Sequence, residues 1–150
     1  MFDGMDLWQL AAREEIRELV AAYAHAADSG RFDEVVGLFT LDGVLETPDH
    51  AEHRGHEAIR AFLGGTGRAL AGAMTAPLIR HHLSNLTVAV TGPDDATGAA
   101  YFFVVTERGP DHWGRYRDRY TRGDEGWRFA HRRVRLDGYT SGSWVAERRR

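Results

Sequence analysis

Residues 112–122 read HWGRYRDRYTR, and this stretch decides the fold. Small, aromatic and acidic residues alternate here with arginines, which is the pattern of a β-strand that has two different faces. One face is expected to hold Gly114, Tyr116, Asp118 and Tyr120, and the other Arg115, Arg117 and Arg119. The sequence therefore predicts a strand that lies between a core and solvent.

Three more strands surround this one along the chain. They are predicted at about Leu78–Val90, Thr97–Glu107 and Trp127–Leu136, with turn-rich breaks between them. Consecutive strands joined by short turns predict an antiparallel sheet. The run Ala99 to Val105 is apolar on both faces, so we expect a second copy of the chain to cover the outer face.

Helices precede these strands. Apolar residues at three-to-four spacing predict a helix over Trp8–Asp28, with Gly30 as its C-terminal cap. Shorter helices are predicted at Phe32–Phe39 and His56–Leu70. Helices first and sheet last indicate an α+β domain over residues 1–150. A curved antiparallel sheet packed around the first helix would form a cone with one open end, a shape that suits a small-molecule pocket.

Composition excludes several kinds of chemistry. The chain has no cysteine, and all nineteen basic residues are arginine. Thiolate catalysis, iron–sulfur clusters, Schiff bases and the phosphate-loop lysine therefore have no residue to carry them. Acid–base chemistry by His, Asp, Glu and Tyr, metal chemistry by His and carboxylate, or plain binding remain.

Arginine is concentrated late in the chain, since residues 108–150 hold twelve arginines against six acidic residues. These arginines alternate along strands rather than cluster, so we interpret them as a solvated face and predict no nucleic-acid partner. The longest apolar run, Ala99 to Val105, is far shorter than the ~20 residues a membrane span needs. Met1–Trp8 lacks a signal-peptide pattern, and we expect a cytoplasmic protein.

His82 is the leading candidate for acid–base chemistry. On a regular strand it shares a face with Leu86 and Val88, and an inward imidazole with a carboxylate partner suits a general base. Asp28, at the end of the first helix, is the natural partner. A core histidine bonded to a carbonyl and a solvated helix-end aspartate are the structural alternatives for these two residues.

Aromatic side chains supply the expected pocket walls. Tyr23 lies on the buried stripe of the first helix, where its hydroxyl needs a partner or a ligand. For Asp118 we favour a structural ion pair with Arg60 or Arg132. The expected substrate-binding residues are Tyr116, Phe39, Phe62, Tyr101 and Trp144.

Two segments keep more than one interpretation. His50, His53 and His56 have a metal-like spacing, but they straddle a loop and a helix start, so we favour a solvated loop and predict no metal site. Gly138–Arg150 is either an ordered lid, with Tyr139 and Trp144 at the mouth, or a loose tail.

Several motifs along the chain together resemble one known family. The order and spacing of these residues is similar to the SnoaL-like proteins of the NTF2-like superfamily, from about residue 10 to 137. The motifs are Ile16-x-x-Leu19-x-x-x-Tyr23-x-x-x-x-Asp28-x-Gly30-x-x-Asp33, Leu38-Phe39-x-x-Asp42, Gly55-x-x-x-Ile59, His82 with Asn85, Gly114-x-Tyr116-x-Asp118 and Gly126-Trp127-Arg128-Phe129.

The resemblance extends to the scytalone dehydratase and bile-acid 7α-dehydratase branch. It implies His82 as the base, Asp28 as its orienting partner and Tyr23 as a donor that polarises a carbonyl. The second histidine of scytalone dehydratase falls at Thr106 or Glu107 in this chain.

The resemblance and the residues together lead to one functional expectation and two alternatives. We expect a cofactor-independent dehydratase, cyclase or isomerase that acts on a small hydrophobic cyclic carbonyl compound, such as a polyketide or a steroid-like metabolite. The alternatives are a non-catalytic binding or accessory subunit, similar to the small subunit of ring-hydroxylating dioxygenases, and metal-dependent hydrolysis.

Overall fold

A computed structural model describes residues 4–75 and 78–150; the first three residues of the Met1–Trp8 stretch lie outside the described part. Within that part the helices are α1 Leu7–Asp28, α2 Phe32–Gly37, α3 Gly55–Ala73 and α4 Trp144–Arg148. The strands are β1 Phe39–Glu46, β2 Glu52–Arg54, β3 Ile79–Val90, β4 Asp95–Thr106, β5 Gly109–Gly123 and β6 Gly126–Tyr139.

The described strands form one six-stranded sheet in the order β2-β1-β6-β5-β4-β3. Its long strands β3 to β6 are antiparallel neighbours, as predicted, and β1 joins the edge of β6 in parallel. The sheet curls without closing, and α1 packs on its concave side. The predicted α+β architecture, with N-terminal helices packed in a curved antiparallel sheet that stays open, is confirmed.

Helix α1 ends at a defined residue because of the turn that follows it. The backbone N–H of Gly30 donates to the carbonyl of Ala27, and that of Arg31 donates to Ala26. Gly30 has φ +70°, so these bonds form the Schellman motif that left-handed glycine permits. The predicted cap is confirmed, and it fixes Asp28 as the last helical residue, facing the start of β3.

A bulge in β3 reverses the alternation of that strand. Ser84 pairs with Tyr101 and Thr87 with Ala99, so β3 has one more residue than β4 between these two pairs. Asn85 adopts φ +56° at the bulge, a conformation that asparagine tolerates better than most residues. Before the bulge, His81 and its neighbours Ile79 and Leu83 therefore point to the same side of the sheet as Leu86 and Val88 after it.

The prediction that His82 faces the interior is wrong for this reason. It rested on an unbroken two-residue period between His82 and Val88, and the extra residue moves His82 to the solvent side. There its ring lies 6.3 Å from that of Phe103, centroid to centroid. Its neighbour His81 takes the inward position.

Strand β5 follows the predicted alternation. Gly114 and the side chains of Tyr116, Asp118 and Tyr120 are buried, and the three arginines between them are exposed. On β4 the same alternation buries Phe102 and Val104. It turns Tyr101 outward with 55% of its surface exposed, so the prediction that Tyr101 lines the pocket is wrong.

None of the helices in the described ranges is long and apolar enough to cross a membrane.

The bulge generates a stability prediction. Asn85→Val places a β-branched residue in the left-handed region, which costs about 1–2 kcal/mol of folding free energy. Urea unfolding should show that loss, whereas Asn85→Gly, which accepts the same φ, should unfold within about 0.5 kcal/mol of the parent. Equal midpoints for the Val and Gly variants would show that the backbone at residue 85 is not constrained in this way.

Candidate functional site

A cavity of about 380 Å³ lies inside the curled sheet. Its walls come from α1, α3, the inner face of β3 to β6 and the C-terminal segment. Apolar and aromatic side chains predominate, with a few polar groups among them, which is the usual make-up of a small-molecule site. Of the expected substrate-binding residues, Tyr116, Phe62 and Trp144 line it. Phe39 instead lies in the packed core, with its ring centroid 6.2 Å from that of Tyr23.

His81 and Asp28 form a close pair at the wall of this cavity. The His81 Nδ1 atom lies 2.5 Å from Asp28 Oδ1, and the His81 backbone N–H donates to Asp28 Oδ2 at 2.9 Å. The side chains are 18% and 9% exposed, respectively. Because an ionised carboxylate only accepts, the shared proton belongs on Nδ1. The Nε2 lone pair of a neutral His81 ring is then the one available to a ligand.

The carboxylate of the pair is the predicted one, Asp28, but its imidazole partner is His81 and not the predicted His82. Asp28 is held against β3 by two hydrogen bonds rather than fraying into solvent. It does not itself line the cavity, whereas His81 does. Asp28 is placed to orient the ring, and His81 to meet a ligand.

Beneath the cavity floor lies a buried guanidinium. Arg132 has no exposed surface, and it binds Asp118 through two bonds of 2.9 Å, as one of the two predicted ion pairs. Its Cζ atom lies 4.3 Å from the ring centre of Tyr23 and 3.8 Å from that of Tyr116. These are cation–π distances, so the two tyrosines help to compensate the charge.

Both tyrosines line the cavity above Arg132. Burial raises the pKa of the Tyr23 hydroxyl, and the adjacent Arg132 guanidinium opposes that rise. Burial raises the pKa of Tyr116 as well. The hydroxyls stay protonated at neutral pH, and a protonated phenol can donate a hydrogen bond.

A second histidine–carboxylate pair at this cavity was missed by sequence reasoning. His112 lines the cavity, and its Nδ1 atom lies 2.7 Å from Oδ2 of Asp111, which has no exposed surface. A signal was available: His112 precedes Gly114 by two residues and so shares the inner face of β5. The neighbouring Asp111 is inside because β5 has a bulge there, where Val104 pairs with His112 but Val105 pairs with Pro110.

The C-terminal segment is an ordered wall of the cavity, as the first of its two interpretations held. Trp144 is buried against Leu70 and Met74. Arg108 ties the segment down, donating to the Ala73 carbonyl at 2.9 Å and pairing with Glu147 at 2.9 Å. Tyr139, expected at the mouth, is 44% exposed and does not line the cavity.

Two of the three histidines with metal-like spacing, His53 and His56, have separate partners. His53 stacks on Phe62 with ring centroids 4.4 Å apart, while His56 Nε2 lies 3.0 Å from the Phe39 carbonyl. Within residues 4–75 and 78–150, one group has possible ligand atoms within 4.8 Å of one another: Glu46, Glu52 and His131. The Glu46 carboxylate already pairs with Arg133 and Arg135, which favours an ion-pair cluster over a cation site.

Comparison with known proteins returns a family and a set of solved structures. The profile of a SnoaL-like domain matches residues 8–133. An NTF2-like protein with a cystatin-like fold from Novosphingobium aromaticivorans is 31% identical, with 95% of this chain and 97% of that chain covered and a TM-score of 0.75. No curated protein sequence matches the chain.

Two further solved structures are similar to this chain. A protein from Catenulispora acidiphila, solved in complex with S-DNPA, is 29% identical, with 86% of this chain and 96% of that chain covered and a TM-score of 0.73. A putative scytalone dehydratase from Novosphingobium aromaticivorans is 20% identical with a TM-score of 0.78, covering 91% of both chains, and this likeness shows the fold alone.

The buried ion pair under the floor gives a second prediction. Asp118→Asn leaves the Arg132 charge buried without its counter-ion, which should cost about 3–5 kcal/mol of folding free energy in urea unfolding. Asp137→Asn is the matched control, because it removes the partner of the half-exposed Arg115 and should cost less than ~1 kcal/mol. Similar losses in the two variants would contradict a structural role for the buried pair.

Proposed function

Because the chain belongs to the SnoaL-like family of the NTF2-like superfamily, we propose that it is a cofactor-independent acid–base enzyme, a lyase or isomerase. Its substrate is a small hydrophobic cyclic carbonyl compound of the polyketide or steroid-like kind. The observation that carries the proposal is the His81–Asp28 pair, at 2.5 Å, beside a cavity that Tyr23 also lines.

The reaction begins with proton abstraction by His81. The Nε2 lone pair takes a proton from the carbon next to the carbonyl, and the electrons of the C–H bond move onto the carbonyl oxygen. Asp28 keeps Nδ1 protonated and stabilises the imidazolium that forms. A positioned general base of this kind contributes about 10²–10⁴-fold to the rate.

Tyr23 stabilises the enolate. Its hydroxyl donates a hydrogen bond to the developing oxyanion, and the positive charge of Arg132 lies under its ring at 4.3 Å. A donor that is already in place costs no reorganisation when the charge forms, and one such donor is worth about 10²–10³-fold.

The protonated His81 then completes the reaction. In dehydration the enolate electrons re-form the carbonyl and expel the β-hydroxyl group, which takes the proton from Nε2 and leaves as water. In isomerisation the same proton returns to a different carbon. Either path restores neutral His81, so no external acid or oxidant is consumed.

Exchange of carbon-bound protons tests the base directly. The protein should accelerate deuterium incorporation at the α carbons of 2-tetralone in D₂O, followed by ¹H NMR. His81→Ala should lower this acceleration by about 10²–10⁴-fold, because it removes the base. Asp28→Asn should lower it less, since the ring remains.

His82→Ala is the matched control, since it removes an identical side chain one residue away on the outer face and should exchange like the parent. Full exchange activity in His81→Ala, with circular dichroism unchanged, would overturn the mechanism. Binding of 2-tetralone without any accelerated exchange would favour the second candidate, a ligand-binding or accessory subunit. The Catenulispora relative solved with S-DNPA is consistent with ligand binding in this family.

We also propose that the protein is a homodimer through the outer face of the sheet. Tyr101, Phe103 and Trp113 are 55%, 38% and 40% exposed there, and Phe103 and Trp113 are direct partners across β4 and β5. Large apolar side chains on neighbouring strands are expected to be covered, and a second copy presents the same patch.

Light scattering after size exclusion tests the dimer. The parent should have twice the mass of one chain, and Phe103→Glu should shift it to the monomer by placing charge in the interface. Leu41→Glu is the control, because Leu41 is 85% exposed on β1, away from the patch. A monomeric parent at micromolar concentration would contradict the proposal.

A further inference from the structure

His81 and His112 face the cavity from the same rung of the sheet. His81 pairs with Val104 on one side, and His112 pairs with Val104 on the other. Two strand spacings separate the histidine backbones, about 10 Å, and the side chains are on the concave face. A ligand between them meets one imidazole at each end.

Apart from Asp111, the neighbours of the His112 ring include aromatic side chains of the cavity wall. The Phe102 ring lies edge-on to His112 at 5.9 Å between centroids, and Phe102 in turn packs on Tyr116 at 4.8 Å. The side chain of His112 is 13% exposed. An imidazole nitrogen that lines a largely apolar cavity is one of the few polar groups there that can fix the orientation of a ligand.

Asp111 determines which nitrogen is free. Its Oδ2 atom lies 2.7 Å from His112 Nδ1, so the proton is on Nδ1 and the Nε2 lone pair is available. Burial lowers the pKa of His112, although the bond to Asp111 opposes that change, and the neutral ring is favoured at pH 7. A neutral ring in this tautomer accepts a hydrogen bond at Nε2 and cannot donate one there.

The same carboxylate holds the start of α4. The backbone N–H of Trp144 donates to Asp111 Oδ1 at 2.8 Å, and that of Val145 donates to Oδ2 at 3.3 Å. Asp111 is fully buried between the helix and the ring. The position of the C-terminal wall and the orientation of His112 therefore depend on one side chain.

We propose that His112 is the specificity-determining residue of this site: its Nε2 accepts a hydrogen bond from a hydroxyl group on the ligand, and Asp111 is its positioning residue. The inference rests on the proposed function, because it names the class of ligand for the same cavity. That ligand is a ring compound with a hydroxyl group at the end opposite to the group that meets His81. The position of α4 is part of this site, because Asp111 binds both the first residues of α4 and the His112 ring.

Paired probes test this recognition in the whole protein. NMR titration with 1-naphthol, 1-methoxynaphthalene and naphthalene compares one ring system with and without a hydroxyl donor. The parent should bind 1-naphthol about tenfold more tightly than the other two, the worth of one net hydrogen bond. His112→Phe should bind all three within about twofold of each other. Equal affinities in the parent, or a preference that survives His112→Phe, would overturn the proposal.

Asp111 is tested by a spectroscopic readout that does not depend on affinity. In ¹⁵N-histidine spectra the parent's His112 should be in the Nδ1–H form, and Asp111→Asn should lose that tautomer while the amide still caps α4. The preference for 1-naphthol should fall with it. An Nε2–H ring in the parent would overturn the proposal even if Asp111 variants fail to fold.

His81→Ala separates this inference from the proposed function. It should lower the acceleration of deuterium exchange on 2-tetralone by about 10²–10⁴-fold and leave the preference for 1-naphthol intact. Loss of the preference in His81→Ala would show that the hydroxyl group bonds to His81 instead of His112. That result would overturn this inference and leave the proposed function standing. A preference that requires His112, in a protein that never accelerates exchange, would support the inference and end the enzymatic proposal.

Discussion

A positive charge with no access to water lies at the centre of this fold, and the concave side of the sheet is built around it. Arg132 is on β6, its counter-ion Asp118 is on β5, and Tyr23 reaches over it from α1. Burying a guanidinium costs several kcal/mol unless it is paired and hydrogen-bonded, so these elements have to meet in one geometry. That geometry also sets the cavity floor, because the Tyr23 and Tyr116 rings lie between the charge and the cavity. The structural pair and the proposed oxyanion donor are thus adjacent parts of one cluster.

The strand faces decide which side chains take part in chemistry. His81 and His82 are adjacent residues of the same type, yet His81 lines the cavity and His82 lies on the outer face. A single extra residue at Asn85 makes the difference, and a second at Asp111 places a carboxylate beside His112. Bulges next to ligand sites re-aim side chains at small cost to the sheet. Here they give both imidazoles a carboxylate on Nδ1.

This explains how far the sequence alone can predict the molecule. Helix α1 was predictable because its apolar period runs unbroken over several turns, and Gly30 marks its end by its backbone freedom. The antiparallel strands were predictable because turn-rich segments separate them. Asp28 and Tyr23 followed from that helix. The inward histidine did not, because a bulge inserts one residue without changing the composition around it, and Asn85 alone hints at its position. The parallel pairing of β1 with β6 joins residues about 90 positions apart along the chain, and no local pattern contains it.

The C-terminal wall has a practical consequence. Arg148 and Arg149 border the cavity, and α4 is held by Arg108 and by Asp111 of β5. A tag added after Arg150 for purification would begin at the rim of the cavity. An affinity tag fused there would compete with ligands for the entrance, so an amino-terminal tag is the safer choice for any binding or turnover measurement.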